Sequence, residues 1–247
     1  MRRVGNSYVE ATWDEAITDI AARMNAVIDA DCPDAVGVYY GNPAGFSSSN
    51  IIFMNGWLDA VGTRSRYFVG SIDQNAMHVV ADAMYGSILM APVSDIDNCD
   101  YFLLVGTNPA VSAWNWLETV PGGWRRALER QAQGATIVVV DPLRTESADK
   151  ADVHLAVRPA QDWALLLAMV KVILDEGLEH TEDCTDLATG VDDLRALVAD
   201  ADLDDLAARC DVDRAQIEEV ARDFAAARGA MVVTRTGVSM HLTGTIA

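Results

Sequence analysis

YFLLVGTNP at residues 101–109, TIVVVDPLRT at 136–145 and VHLAVRPAQD at 153–162 decide how this chain folds. Each opens on five residues dominated by Val, Leu, Ile or aromatic side chains, which is strand length and too short for a helix. Each closes on a turn-forming cluster: Gly106-Thr107-Asn108-Pro109, then Asp141-Pro142-Leu143-Arg144-Thr145, then Arg158-Pro159-Ala160-Gln161-Asp162. Between the first two lies a helical stretch, 122–133, with Trp124, Leu128 and Ala132 on its apolar side and Gly134 after it. Near-continuous apolar runs joined by helices mark strands covered on both faces, which is a parallel sheet. In an open parallel sheet the polar strand ends gather at the carboxyl edge, where ligands bind.

Working outward, Thr12-Trp13-Asp14-Glu15 is a capping box opening a helix with Ile17, Ile20, Ala21, Met24 and Val27 on one face. Residues 35–40 read as a buried strand that runs into the turn-rich Gly41-Asn42-Pro43-Ala44-Gly45. Ser47 to Ser49 cap a helix that Gly62 stops. A short strand at 64–69 leads through Gly70-Ser71-Ile72-Asp73-Gln74-Asn75 to a helix with Met77, Val80, Ala81 and Met84 inside. Beyond Asp162, residues 163–176 form a buried helix, 189–227 three short amphipathic helices, and 230–234 a further strand. The fold class expected is α/β: a Rossmann-like, doubly wound, mainly parallel sheet with a helical insertion. The segments are 1–100, a nucleotide-binding core at 101–176, the insertion at 177–228, and a return strand with its loop at 229–247.

The chain of 247 residues is 51% hydrophobic, enough to bury a sizeable core. Its formal net charge of -19 disfavours nucleic acid and anionic membrane as partners. No run of about 18 apolar residues predicts a membrane span. Met1-Arg2-Arg3 leads into Gly5-Asn6-Ser7 rather than an apolar leader, so a cytoplasmic location is expected. Cys32, Cys99, Cys184 and Cys210 lack the spacing of a zinc or iron–sulfur site and read as small hydrophobes.

At the strand ends, Gly106 lets a ligand approach the backbone and Asn108 supplies a donor and an acceptor. Amides ahead of the next helix can hold a phosphate, though Ser112 also reads as that helix's cap. Asp141 can accept from a ribose hydroxyl or a base, Arg144 can pair with phosphate, and Asp162 can accept two N–H bonds from a guanine edge. This is a nucleotide-binding edge without the glycine fingerprint of a dinucleotide site and without a phosphate-binding loop motif.

The same pieces carry a resemblance. Trp13-Asp14-Glu15-Ala16, Tyr40-Gly41-Asn42-Pro43, Gly106-Thr107-Asn108-Pro109 with Ser112, Val140-Asp141-Pro142 with Arg144 and Thr145, Ala151-Asp152-Val153-His154, and Arg158-Pro159 with Asp162 occur in this order. The chain resembles the catalytic subunits of the molybdopterin oxidoreductase family, which contains formate dehydrogenases, dimethyl sulfoxide reductase and nitrate reductases. The resemblance implies one arm of molybdopterin guanine dinucleotide, with molybdenum or tungsten. It implies that Gly106, Asn108 and Ser112 face pyrophosphate or ribose, that Asp141, Arg144 and Asp162 surround guanosine, and that Thr145 is also cofactor-binding. It implies that the loop of Thr236, Gly237, Ser239 and His241 approaches the pterin. Asp73, or Ser71, would be the metal ligand, although Asp73 also reads as a helix cap.

There are departures. The family's Asp-Pro-Arg is Asp141-Pro142-Leu143 here, and its Pro-Gly-Thr-Asp is Pro159-Ala160-Gln161-Asp162. The family's amino-terminal iron–sulfur cysteines and carboxy-terminal barrel have no counterpart in these residues. The expectation is therefore a fragment with no iron–sulfur cluster in this segment, inactive alone, with the rest of the parent subunit or electron-transfer subunits as partners. Two other readings stay open. One is a non-redox nucleotide module like the middle domain of thiamine-diphosphate enzymes; the other is a subunit-docking piece.

Overall fold

The computed structural model describes the chain apart from residues 42, 43, 45, 46, 89, 91, 113–119, 181–187, 246 and 247, and the side chain of 71. Trp114, Trp116, Cys184 and the Asn42-Pro43 turn lie outside the described residues. Two compact units are present, residues 1–71 and 72–247.

In the first unit, β1 (Arg2–Val4) and β2 (Ser7–Val9) form an antiparallel hairpin. Helix α1 (Trp13–Ala30) opens on the expected capping box: Thr12 Oγ1 accepts from the Glu15 amide at 3.2 Å, and Glu15 Oε2 accepts from the Thr12 amide at 2.9 Å. Strand β3 (Val38–Tyr40) pairs in parallel with β4 (Arg66–Phe68), and α2 (Ser48–Val61) lies between them in sequence, capped by Ser47 and stopped by Gly62. The strand is shorter and less covered than its apolar run suggests. Pro33–Ala35 take a 3-10 turn, and Tyr39 points outward between half-buried Val38 and Tyr40. No residue of α1 is buried; Trp13 is 84% exposed.

A four-residue helix, α3 (Gly70–Asp73), leads along the chain to the second unit and α4 (Asn75–Tyr85). Only Ala81 of α4 is buried, and Met77 and Met84, expected inside, are exposed. Then follow β5 (Tyr101–Val105), α5 (Gly123–Gln131), β6 (Thr136–Val140), β7 (Val153–Leu155) and α6 (Asp162–Asp175). Helices α7 (Val191–Ala199), α8 (Leu203–Cys210) and α9 (Arg214–Ala226) precede β8 (Ala230–Thr234) and the short α10 (Thr236–Ser239).

The strands form one parallel sheet in the order β7-β6-β5-β8. Tyr101 stands opposite both Thr136 and Ala230, and Val105 opposite both Val140 and Thr234. Alternate side chains of β5 enter opposite cores, as the two-residue period of a strand requires. Tyr101, Leu103 and Val105 join Val138, Val140, α6, α8 and α9 on one face. Phe102 and Leu104 join Ile137, Val139 and Ala127 of α5 on the other. Each fully buried Leu or Phe contributes about 1.5–3 kcal/mol through area removed from water. Helices on both faces make the sheet doubly wound.

Within 177–228 the described residues carry α7, α8 and α9 joined by turns, and these helices join the core. The Phe224 ring of α9 meets Tyr101 edge-on, centroids 5.9 Å apart. The chain returns from β7 to β8 through α6, α7, α8 and α9, and the carboxyl ends of all four parallel strands share one edge.

Candidate functional site

Two backbones cross at that edge. After Val105, Gly106 turns at φ +60° and donates its N–H to Val140 O at 2.9 Å. After β8, Arg235 donates to Val105 O at 3.3 Å, and the Gly237 amide donates to Gly106 O at 3.2 Å. A Cβ on Gly106 would stand 2.8 Å from Val238 N; one on Gly237 would stand 2.7 Å from Gly106 Cα. The backbone that Gly106 admits is the chain's own. The sequence reading gave this closeness to a ligand.

Asn108 is likewise committed to the protein. Its Oδ1 accepts from the Ser147 hydroxyl at 2.7 Å and the Ser147 amide at 3.2 Å, and its Nδ2 donates to Glu146 Oε2 at 2.8 Å. Ser147 is fully buried and its Oγ accepts from the Ala110 amide at 3.0 Å. The Asn108 contact holds the Glu146 carboxyl below the usual range. This lattice ties the β5 turn to the β6 turn. Ser112 donates its amide to Asn108 O at 2.8 Å and its side chain is exposed. The residues that follow it, 113–119, lie outside the described residues, and with them the expected cap.

At the β6 end, Asp141 Oδ1 accepts from the Leu143 amide at 2.9 Å, which closes the turn, and its carbonyl meets His154 Nε2 at 2.9 Å. Arg144 reaches Asp149 at 2.8 Å, both well exposed, and Thr145 Oγ1 accepts from the Ala148 amide at 3.2 Å. At the β7 end, Ala160 sits at φ +64°. The left-handed geometry that suits glycine is kept although alanine stands there, at about 1–2 kcal/mol of strain.

Asp162 is the first residue of α6, and its side chain is 6% exposed. Burial pushes its carboxyl up, and Asp141 adds to that; its own amide and His241 pull it down. His241, 13% exposed, places Nε2 3.4 Å from Asp162 Oδ2, without the alignment of a hydrogen bond. Its Nδ1 is 2.8 Å from Thr243 Oγ1. The structure therefore groups Asp141, Asp162 and His241. Gly237 lies at the Gly106 crossing, and Ser239 Oγ donates to Arg235 O at 3.4 Å.

Asp73 ends α3, one residue before α4, and α4 packs against α10. It does not cap α4: Gln74 occupies that place and no side chain bonds there. Asp73 Oδ1 is buried with no partner. The Ser71 side chain lies outside the described residues. Among the described residues no three His, Cys, Asp or Glu side chains gather as a metal site.

A family profile described as molybdopterin oxidoreductase matches residues 1–238. This chain belongs to the molybdopterin oxidoreductase family. Membership implies molybdopterin with molybdenum or tungsten. The chain is 27% identical to the assimilatory nitrate reductase catalytic subunit of Bacillus subtilis, over 97% of its own length and 33% of that protein. It is 32% identical to a nitrate reductase of Symbiobacterium thermophilum, over 73% of its length and 23% of that protein. It is 25% identical to formate dehydrogenase H of Escherichia coli, over 98% of its length and 33% of that protein. The chain thus spans about a third or less of the length of these relatives. The solved acetylene hydratase from Pelobacter acetylenicus matches in fold, with a TM-score of 0.78 at 22% identity, covering 97% of this chain and 31% of that one. No helix among the described residues is long and apolar enough to cross a membrane.

In this molybdopterin oxidoreductase chain three contributors escaped sequence reasoning. Ser147 carried no signal beyond a small polar residue between Thr145 and Ala148. Thr243, two residues after His241, read as loop. The Gly106–Gly237 crossing joins residues far apart in sequence, and no local pattern announces it. Of the three buried polar atoms left open among the described residues, Glu179 Oε2 lies elsewhere in the chain; His241 Nε2 and Asp73 Oδ1, together with the buried Asp162 carboxylate, are groups that a polar cofactor would satisfy.

Proposed function

We propose that this chain holds the nucleotide end of one molybdopterin guanine dinucleotide at the carboxyl edge of the β7-β6-β5-β8 sheet, as part of a molybdenum or tungsten oxidoreductase. The observation that carries this reading is Asp162. A buried carboxylate at the head of a 14-residue helix, beside a second carboxylate, costs stability unless it meets donors. The Watson–Crick edge of guanine presents two adjacent N–H donors, and a carboxylate accepts both. The positive end of α6 supports the anion while it does so.

The other residues take roles around it. Asp141 would accept from the ribose. Arg144 would exchange its exposed partner Asp149 for a phosphate, a small loss because exposed pairs contribute little. Asn108 and Thr145 would set the two turns, Gly106 would let α10 close over the edge, and Gly237, Ser239 and the exposed Ser112 would line it. Asp73 would offer an oxygen ligand to the metal. When bound, the cofactor supplies two-electron chemistry at its metal; this chain binds and orients one arm. The rest of the parent catalytic subunit, or electron-transfer subunits, would complete the site, and the chain alone would bind without turnover.

The test is calorimetric titration of the full chain with GDP and ADP. GDP should bind in preference, and Asp162→Asn should weaken it at least about 30-fold, since two hydrogen bonds to a charged acceptor are at stake. Chain purified from a host that makes the cofactor should also release GMP on acid hydrolysis. No preference for GDP, together with no GMP, would remove the proposal.

A further inference from the structure

We infer that His241 is the positioning residue for the base-recognising carboxylate: Thr243 fixes its tautomer, and its Nε2–H, 3.4 Å from Asp162 Oδ2, holds that carboxylate turned to receive a purine edge with two adjacent N–H donors. This deepens the nucleotide reading above and rests on it for its ligand. It also moves His241 from the pterin, where the resemblance put it, to the opposite end of the cofactor.

The geometry selects the tautomer. Nδ1 stands 2.8 Å from Thr243 Oγ1, and in the neutral ring that contact forms in one of two ways. If Nδ1 carried the proton, the lone pair of Nε2 would face the Asp162 carboxylate with no hydrogen between two buried acceptors. If the Thr243 hydroxyl donates to Nδ1, the proton is on Nε2 and points towards Asp162 Oδ2. Of the two, only the second puts a hydrogen between Nε2 and the carboxylate, and the Thr243 bond sets the tautomer.

The turn carrying the ring is tightly fixed. The Gly244 amide donates to His241 O at 3.0 Å, and only glycine fits there, because a Cβ would stand 2.6 Å from Val238 O. At 3.4 Å the His241–Asp162 contact is longer than the 2.7–2.9 Å of a charge-assisted bond. It therefore takes one oxygen site loosely. A carboxylate has about four such sites, so two in-plane acceptors remain for a base.

The groups facing Asp162 divide by sign. Asp141, from the end of β6, disfavours its charge; His241, after α10, and its own amide at the head of α6 favour it. Burial disfavours it most. Take His241 away and the carboxyl holds its proton to higher pH. A protonated carboxyl has a hydroxyl where an acceptor is needed, so it cannot receive two N–H bonds.

The experiment uses the full chain and follows the ratio of GDP to ADP affinity against pH, so that titration of the shared phosphates cancels. In the wild type the ratio falls as pH falls through the Asp162 ionisation. In His241→Ala, and in His241→Phe, which keeps the ring volume without a donor, the fall should come about one pH unit higher. His241→Gln, which restores an N–H, should recover part of that displacement, and Thr243→Val should show a smaller one. A merely structural role would lower affinity by one factor at every pH and leave the midpoint in place; that result overturns the inference. Carbon-13 titration of the Asp162 carboxyl in the ligand-free chain reports the same midpoint without nucleotide. If GDP shows no preference but the midpoint still moves in His241→Phe, the nucleotide reading fails and the His241–Asp162 coupling stands. If the midpoint is unmoved, the coupling fails whatever binds.

Discussion

Replacing Gly106 by alanine puts a methyl group where the backbone of α10 passes. The new Cβ would lie 2.8 Å from Val238 N, 2.9 Å from Gly237 Cα and 3.0 Å from Gly237 C. All three are main-chain atoms, so no side chain can swing aside; β5 and α10 must separate. Overpacking of this kind costs about 1–3 kcal/mol. The φ of +60° adds about 1–2 kcal/mol for a residue with a Cβ. A loss of about 3 kcal/mol in a unit of this size lowers Tm by about 6–12 °C. Gly134→Ala separates the two contributions, because Gly134 has φ +105° with nothing within 4 Å of an added Cβ. It should show the backbone cost alone. Gly237→Ala, whose φ is not positive, should show the clash alone. The double variant should cost less than its parts together, since one separation relieves both contacts. Thermal unfolding followed by circular dichroism at 222 nm reads all four. If Gly106→Ala is no worse than Gly134→Ala, the crossing does not hold this edge together.

Ala160→Gly should raise Tm by about 1–4 °C, because relief of left-handed strain slightly exceeds the added chain entropy; an unchanged or lower Tm counts against strain there. Asp162→Asn should raise Tm at neutral pH. A carboxyl whose folded pKa lies above its ordinary 3.8 stabilises the folded state most below that value and loses the contribution as pH rises through the raised one. The gain should therefore vanish in acid, and a gain that persists at pH 3 would refute the assignment. Arg222 works in the opposite direction. Its pair with Glu176, at 2.7 Å, holds that carboxyl below the ordinary 4.5, and Glu218 is held below it first by Arg214, at 2.7 Å, and then by Arg222, at 3.1 Å. Their contribution is present above 4.5 and lost as pH falls below it, so the Tm gap between wild type and Arg222→Met should close there. A gap of constant size from pH 7 to pH 3 would mean that these exposed pairs do not couple to folding.

The local features of the fold could be read from the residues in order. The five-residue apolar runs ending at Gly106 and Asp141 are strands over their whole length, because a strand buried on both faces needs only a short stretch of its own sequence to declare itself; of the run before Arg158-Pro159 the sheet uses only Val153–Leu155, at its edge and half-buried. The Thr12–Glu15 box and the Gly62 stop are equally local, spanning one helical turn. Strand order was not local. That β8 lies beside β5, with α9 packed on Tyr101, follows from which apolar faces can be covered together. The apolar stripe of α1 announces a helix by its period, while its cover is a tertiary matter: Trp13 and Ile17 are both exposed.

The candidate site divides in the same way. Asp162, Asp141 and the turn residues stand out because carboxylates and Asn-Pro or Asp-Pro pairs after strands are visible one at a time. Their partners are not. Asn108 looks like a ligand until Ser147 and Glu146 take its amide group, and Gly106 looks open until Gly237 lies against it. His241 meets Asp162 across a long interval of chain, through a turn that only the packed sheet brings to the head of α6. Composition and period act over a few residues and fix strands, caps and turns. Which polar groups satisfy one another, and which are left open for a ligand, depends on burial at an edge that four separate strands assemble.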